Sequence, residues 1–181
     1  MKKFFITLLI VILIIAGYFV IRSKTSTVTI PTGWVAYTGN GVQFFYPTTF
    51  GATVWKATMR PPVLTVVPAD KDAIAIGCPM LQDSATITES WAGVANNITY
   101  TFYKWWDIGA WTLYTSECYI FSGENQNYVL DFEIRSHSWC ENGNCGAYCD
   151  TPSEQACRAF DMEKDVKQPI EKIVSTFKIM K

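Results

Sequence analysis

Positions 128 to 135 alternate without a break. Tyr128, Leu130, Phe132 and Ile134 are interleaved with Val129, Asp131, Glu133 and Arg135. A period of two with one apolar face and one mostly charged face predicts a half-buried strand. Two runs before it, Ile98 to Trp106 and Trp111 to Phe121, are rich in aromatic and β-branched residues. Such residues favour a pleated, partly buried surface. The first run puts Ile98, Tyr100, Phe102 and Trp106 on one face, with Tyr103 and Trp105 on the other. Both faces are substantially apolar, so both are covered or one is a binding surface. Asp107-Ile108-Gly109-Ala110 and the polar stretch Ser122 to Asn127 read as turns. Short connections then make the three strands an antiparallel meander.

The rest of the chain supplies shorter elements. Trp34 to Tyr37 and Val42 to Tyr46 flank Thr38-Gly39-Asn40-Gly41, a hairpin signal. Leu64 to Val67 and Ala73 to Ile76 are expected to be short strands. Thr86-Ile87-Thr88-Glu89 fits a capping box, and Ile87, Trp91, Val94 and Ala95 follow helical spacing. A helix is therefore expected there, ending at Asn96-Asn97 and covering a sheet face or end. Ser153 to Phe160 reads as a short helix. Ile170, Ile173, Val174 and Phe177 predict a closing helix on one face of the sheet, with Pro169 in its first turn.

Phe4 to Ile21 is uncharged and apolar for eighteen residues, about 27 Å as a helix. That is long enough to span a bilayer core and longer than a signal-peptide core. Residues 1–24 therefore read as a cytoplasmic stub and single transmembrane anchor, and 25–32 as a Ser/Thr-rich tether. Residues 33–181 read as one extracytoplasmic domain. The four cations flanking the anchor are Lys2, Lys3, Arg22 and Lys24. Setting them aside from the 15 Lys and Arg leaves 11 against 16 acidic residues, a net of −5. With no basic stripe, nucleic-acid binding is not expected.

The chain has six cysteines and one histidine. Cys140, Cys145, Cys149 and Cys157 lie in a segment, 138–160, with few aliphatic residues. Paired C-x₂-C knuckles are missing, so no metal and no cofactor are expected, and bridges are what would order this insertion. Cys78 with Cys118 is the preferred third pair, joining an early strand to the middle of the meander. Disulfides belong in an oxidising compartment, which sets the domain outside the membrane.

Candidate chemistry is sparse. His137 near Asp131, Glu133 or Ser138 is a catalytic set only if geometry assembles one; a surface histidine is the simpler reading, and no catalytic residue is assigned. Asn97-Ile98-Thr99 has the form of a glycosylation sequon, read here as a structural Asn. Trp105, Trp106, Trp111 and Trp139 are the candidates for a ligand surface. Trp105 and Trp106 must point to opposite faces of a strand.

Several stretches together resemble PsbP-like domains of small membrane-anchored bacterial proteins. Gly41-Val42-Gln43-Phe44-Phe45-Tyr46-Pro47, after Trp34 and Tyr37, resembles the opening of such domains. Ile173 to Ile179 resembles their closing helix, and Asp107 to Ala110 with Cys118-Tyr119 is similar to their middle strands. The resemblance implies an α+β fold, an α/β/α sandwich with a central antiparallel sheet. Two features depart from it: no lipoprotein cysteine follows the anchor, and the 138–160 insertion is extra. It implies an extracytoplasmic binding or assembly factor; the anchor, the cysteine pattern and the absence of a convergent polar constellation make a non-catalytic domain for a protein or envelope ligand the leading expectation. A module binding envelope glycan through exposed Trp is the alternative, and an extracytoplasmic enzyme the second alternative.

Overall fold

The computed structural model describes residues 30–50, 57–79, 87–109, 112–137 and 163–180. The expected anchor at Phe4 to Ile21, Cys140, Cys145, Cys149, Cys157, Trp111, Trp139 and the expected Ser153 to Phe160 helix lie outside the described residues. No helix among the described residues is long and apolar enough to cross a membrane.

The architecture is mostly antiparallel sheet with few helices. The strands are β1 (Trp34–Gly39), β2 (Val42–Pro47), β3 (Ala57–Met59), β4 (Val63–Pro68), β5 (Ile87–Ala95), β6 (Ile98–Gly109), β7 (Thr112–Ser122), β8 (Gln126–His137) and β9 (Lys178–Ile179). The helices are α1 (Ala73–Gly77) and α2 (Gln168–Thr176), the latter preceded by a π-helical turn, Glu163–Lys167. The larger sheet runs β5-β6-β7-β8, with β3 and β4 both paired to the outer side of β8. The smaller sheet is β1-β2-β9.

The meander β6-β7-β8 forms as its alternation requires, with one revision. Asp107 to Gly109 continue β6, which pairs with β7 as far as Gly109 opposite Thr112. The strand propensity of Ile108 and the pairing of both partners outweigh the turn signal of Asp107. β3 and β4 are one edge strand interrupted at Arg60-Pro61-Pro62. Met59 opposes Ile134 and Val63 opposes Asp131, so the register slips by one residue across the prolines.

Two expected elements have the opposite character. Ile87–Ala95 is the edge strand β5, not a helix. Its apolar residues match helical spacing by coincidence. Asn96 and Asn97 carry φ of 49° and 64° and form a two-residue turn between Ala95 and Ile98. Two consecutive positive-φ residues are the mark of a type I′ hairpin, not of a helix stop. Asn40 and Gly41, at 51° and 75°, make the same turn between β1 and β2. Conversely, Ala73–Gly77 is helical rather than extended. The Asp72 carboxylate accepts from the backbone N–H of Ile74 and Ala75, which caps the first turn.

The main core lies between one face of the large sheet and the layer made by α2 and the small sheet. Phe102, Tyr119, Phe121, Leu130 and Phe132 meet Val42, Phe44, Ile170, Ile173, Val174 and Phe177 there. Phe177 stacks on Phe121 with centroids 3.8 Å apart. The helix end is tied down at two points. The Thr176 hydroxyl accepts from the Phe45 backbone N–H, and the Asn96 amide donates to the carbonyls of Ser175 and Phe177.

On the opposite face, Val67, Ala73, Cys78, Trp105, Cys118, Ile120 and Val129 form a smaller core under α1. Gly77 lets α1 approach; a Cβ there would lie 2.5 Å from the Val129 side chain. Cys78 and Cys118 are disulfide-bonded across 40 residues, as the sequence reading preferred.

Candidate functional site

Strand pairing decides which side chains share a face. Trp91 opposes Phe102, Glu89 opposes Lys104, Lys104 opposes Glu117 and Trp106 opposes Thr115. All of these point to the α2 side of the large sheet. The fourteen residues of the π turn and α2 extend about 21 Å, whereas the twelve of β6 extend about 40 Å. Cover on this face is uneven, since Thr115 and Ile134, in line with Trp106, are buried. Trp91 and Trp106 remain 45% and 49% exposed. Trp106 lies four positions along β6 from Phe102, the partner of Trp91, so the two indoles sit about 13 Å apart along the strand.

Between them lies a charged strip. Lys104 Nζ is 3.3 Å from Glu89 Oε1. Glu117 is buried beside this pair and accepts from the Tyr119 hydroxyl at 3.3 Å. Burial pushes the Glu117 carboxyl above its usual range, against the opposing pull of Lys104 and of the Tyr119 hydrogen bond. Tyr119 is pushed well above the ordinary phenol value by burial first and by the Glu117 charge second. Burial also raises Tyr100, with the Glu171 charge adding to it. Trp91 is braced by Tyr100 and Phe102, with centroids 5.6 and 4.9 Å away. The result is two exposed indoles, Trp91 braced by its neighbours, on either side of a polar strip. Such a surface suits a ligand with apolar faces and polar edges.

The sequence-nominated tryptophans separate as strand geometry demands. Trp106 is exposed, while Trp105 is fully buried in the smaller core and presents no surface. Its indole N–H has no hydrogen-bond partner among the described residues. Trp91 went unnominated because a helix was expected there. Its opposition to Phe102 across an Asn-Asn turn was the signal for it.

The carboxylates proposed to serve His137 are engaged elsewhere. Glu133 pairs with Arg60 at 2.9 Å and Arg135 at 2.7 Å. Asp131 accepts from the Ser116 hydroxyl at 3.0 Å. Burial raises the Asp131 carboxyl to about 6; the Ser116 hydrogen bond opposes the shift and the Glu133 charge adds to it. His137 itself closes β8 opposite Thr112. No group of three or more His, Cys, Asp or Glu among the described residues is placed to hold a metal ion.

A concavity of about 1330 Å³ opens at the turn end of the sheet, lined by residues 96–99, 122–126 and 178–180 with Tyr128. Several of its polar groups already have structural partners: Asn96 holds the end of α2, and Gln126 donates to the Tyr128 hydroxyl at 2.6 Å. Asn97, of the sequon-like triplet, sits exposed in the turn beside it.

No family model and no curated protein matches this chain. Among solved structures, it is similar to cyanobacterial PsbP (CyanoP) from Synechocystis sp. PCC 6803. That match has 11% identity, covers 87% of this chain and 98% of the other, and has a TM-score of 0.43. It is also similar to a protein from Bacteroides thetaiotaomicron VPI-5482, at 16% identity over 84% of this chain and a TM-score of 0.38. This chain spans 44% of the length of that second protein. At TM-scores below 0.5, neither likeness carries an argument about function.

Proposed function

We propose that this chain is a non-catalytic binding domain of the PsbP-like, α/β/α kind, held outside the cell membrane by the anchor at Phe4 to Ile21. The observation that carries the reading is the open pair Trp91 and Trp106 flanking the Lys104–Glu89 strip on the α2-side face of β5 and β6. Two large rings exposed on one rigid face cost hydration that an isolated fold gains nothing from, whereas a ligand that covers them recovers it. The buried Cys78–Cys118 bond supports the oxidising side of the membrane.

The test uses the full chain in detergent, mixed with envelope isolated from the source organism. Sedimentation with that envelope should fall at least tenfold in the Trp91→Ala/Trp106→Ala double variant. Undiminished sedimentation, or turnover of an envelope substrate by the purified protein, would overturn the proposal. The exposed rings also favour a second reading, a glycan ligand, since sugars stack on flat aromatic faces. Protease treatment of the envelope separates the two. Binding that survives it belongs to the polymer, and binding that is lost belongs to a protein partner.

A further inference from the structure

The two edges of the large sheet are unlike. The β3/β4 edge is broken by Arg60-Pro61-Pro62, whose prolines cannot donate and whose register slips. Prolines, bulges and edge charges are the usual protection against an added strand. The β5 edge has such protection only at its start, where the register is irregular between Ile87 and Glu89. From Ser90 to Ala95 it carries neither charge nor proline. Ser90, Trp91, Ala92 and Val94 are exposed, Val94 at 67%.

Backbone geometry says which groups this edge offers. The two-residue turn makes Ala95 and Ile98 a hydrogen-bonded pair. Pairs alternate in an antiparallel ladder, so Gly93–Tyr100 and Trp91–Phe102 are also hydrogen-bonded pairs. Ser90, Ala92 and Val94 therefore direct their N–H and C=O groups away from β6. No described residue pairs with them.

We infer that the β5 edge pairs with the β5 edge of a second copy of this chain, antiparallel, about a two-fold axis at Ala92. In that register Ser90 opposes Val94 of the other copy and Ala92 opposes itself. The three outward residues of each copy then satisfy one another's donors and acceptors. On the α2 face, Trp91 would lie beside Gly93 of the other copy, over which that copy's own Tyr100 and Trp91 rings lie. The one acidic side chain near the edge, Glu89, is already paired with Lys104. No charged residue lies between Ser90 and Ala95, so no like charges face one another across the axis. An isologous contact of this kind closes on itself and uses up the edge. It joins the two sheets into one and brings both Trp91 rings to its centre.

The experiment is sedimentation analysis of the full chain in density-matched detergent, with two variants. Ala92→Pro removes an outward N–H, leaving the β5–β6 ladder intact. Val94→Lys places a charge at an exposed edge position without touching the backbone. Oxidised Cys78–Cys118 and an unchanged circular dichroism spectrum report the fold of each. The expected result is a wild-type dimer whose dissociation constant rises at least tenfold in each correctly folded variant. A wild-type monomer at every concentration reached overturns the inference, even if it binds a strand-forming peptide at the same edge. So does a dimer that Val94→Lys leaves unchanged. Neither variant alters Trp106 or the Trp91 side chain, so loss of envelope binding and loss of dimerisation are read separately.

Discussion

Asp131 offers the sharpest quantitative test of the packing. It sits at a polar position of the alternation, yet it is only 7% exposed, opposite Cys118 and bonded to Ser116. Its carboxyl titrates near 6 in the fold, against about 3.9 in an unfolded chain. The folded state therefore keeps a proton through the window from about pH 4 to about pH 6 that the unfolded state has released. Its contribution is most favourable below about pH 4 and is lost as pH rises through 6. At 1.36 kcal/mol per pKa unit, the shift of about two units is worth about 3 kcal/mol, an upper figure because some water reaches the group.

Asp131→Asn removes the charge and keeps an oxygen for the Ser116 hydroxyl. Its effect on unfolding free energy should change by about 2–3 kcal/mol between pH 4 and pH 8, in the direction that favours the variant at high pH. Urea unfolding of both proteins at half-unit intervals measures this with disulfides kept oxidised. Glu117, also raised, lies on the opposite face and is common to both proteins, so it drops out of the difference. A difference that stays flat between pH 4 and pH 8 would refute the claim that Asp131 is buried without a compensating cation.

Three further outcomes follow from the same contacts. Replacing Cys78 and Cys118 together by Ala opens a loop of about 40 residues, and chain-entropy scaling puts the loss at about 4 kcal/mol; a urea midpoint that barely moves would show that residual structure already closes the loop. Gly93→Ala places a Cβ 2.5 Å from the Tyr100 ring and should cost about 1–3 kcal/mol, with a double-mutant cycle against Tyr100→Ala recovering most of that as coupling. Asn96→Gly keeps the positive φ and loses the two bonds to α2; it should cost about 1–2 kcal/mol and speed amide exchange at Phe177 first, since that residue's carbonyl loses its partner.

The central sheet was legible because β8 states its two faces residue by residue, and because β6 and β7 carry apolar residues on both faces for a reason the structure supplies. One face lies against α2 and the other against α1 and the disulfide. The short elements were not legible from periodicity. Ala73–Gly77 is five residues of apolar and small side chains, too short for a period to be counted. Its one decisive signal was the capping Asp72, outside the run. β5 carried a true helical pattern by accident, and only the Asn-Asn turn after it contradicted that pattern.

Face is a local property and coverage is not, which is why the candidate site was only half visible. Alternation places Trp106 opposite in sense to Trp105 whatever else the chain does. Which of the two is open depends on where α1, α2 and the disulfide end. That is set by lengths and by contacts distant in sequence, such as Asn96 to Phe177 across 81 residues. Trp105 falls under the short helix and the Cys78–Cys118 bond, so burial claims it. Trp106 stays half exposed on the α2 side, although its neighbours in line, Thr115 and Ile134, are buried. Trp91 is left open on β5, the strand whose outer hydrogen-bonding edge is also unpaired among the described residues. The aromatic strip and the open edge thus meet on one strand: β5 closes the sheet, is buried in the main core at Ala95, and leaves Trp91 open.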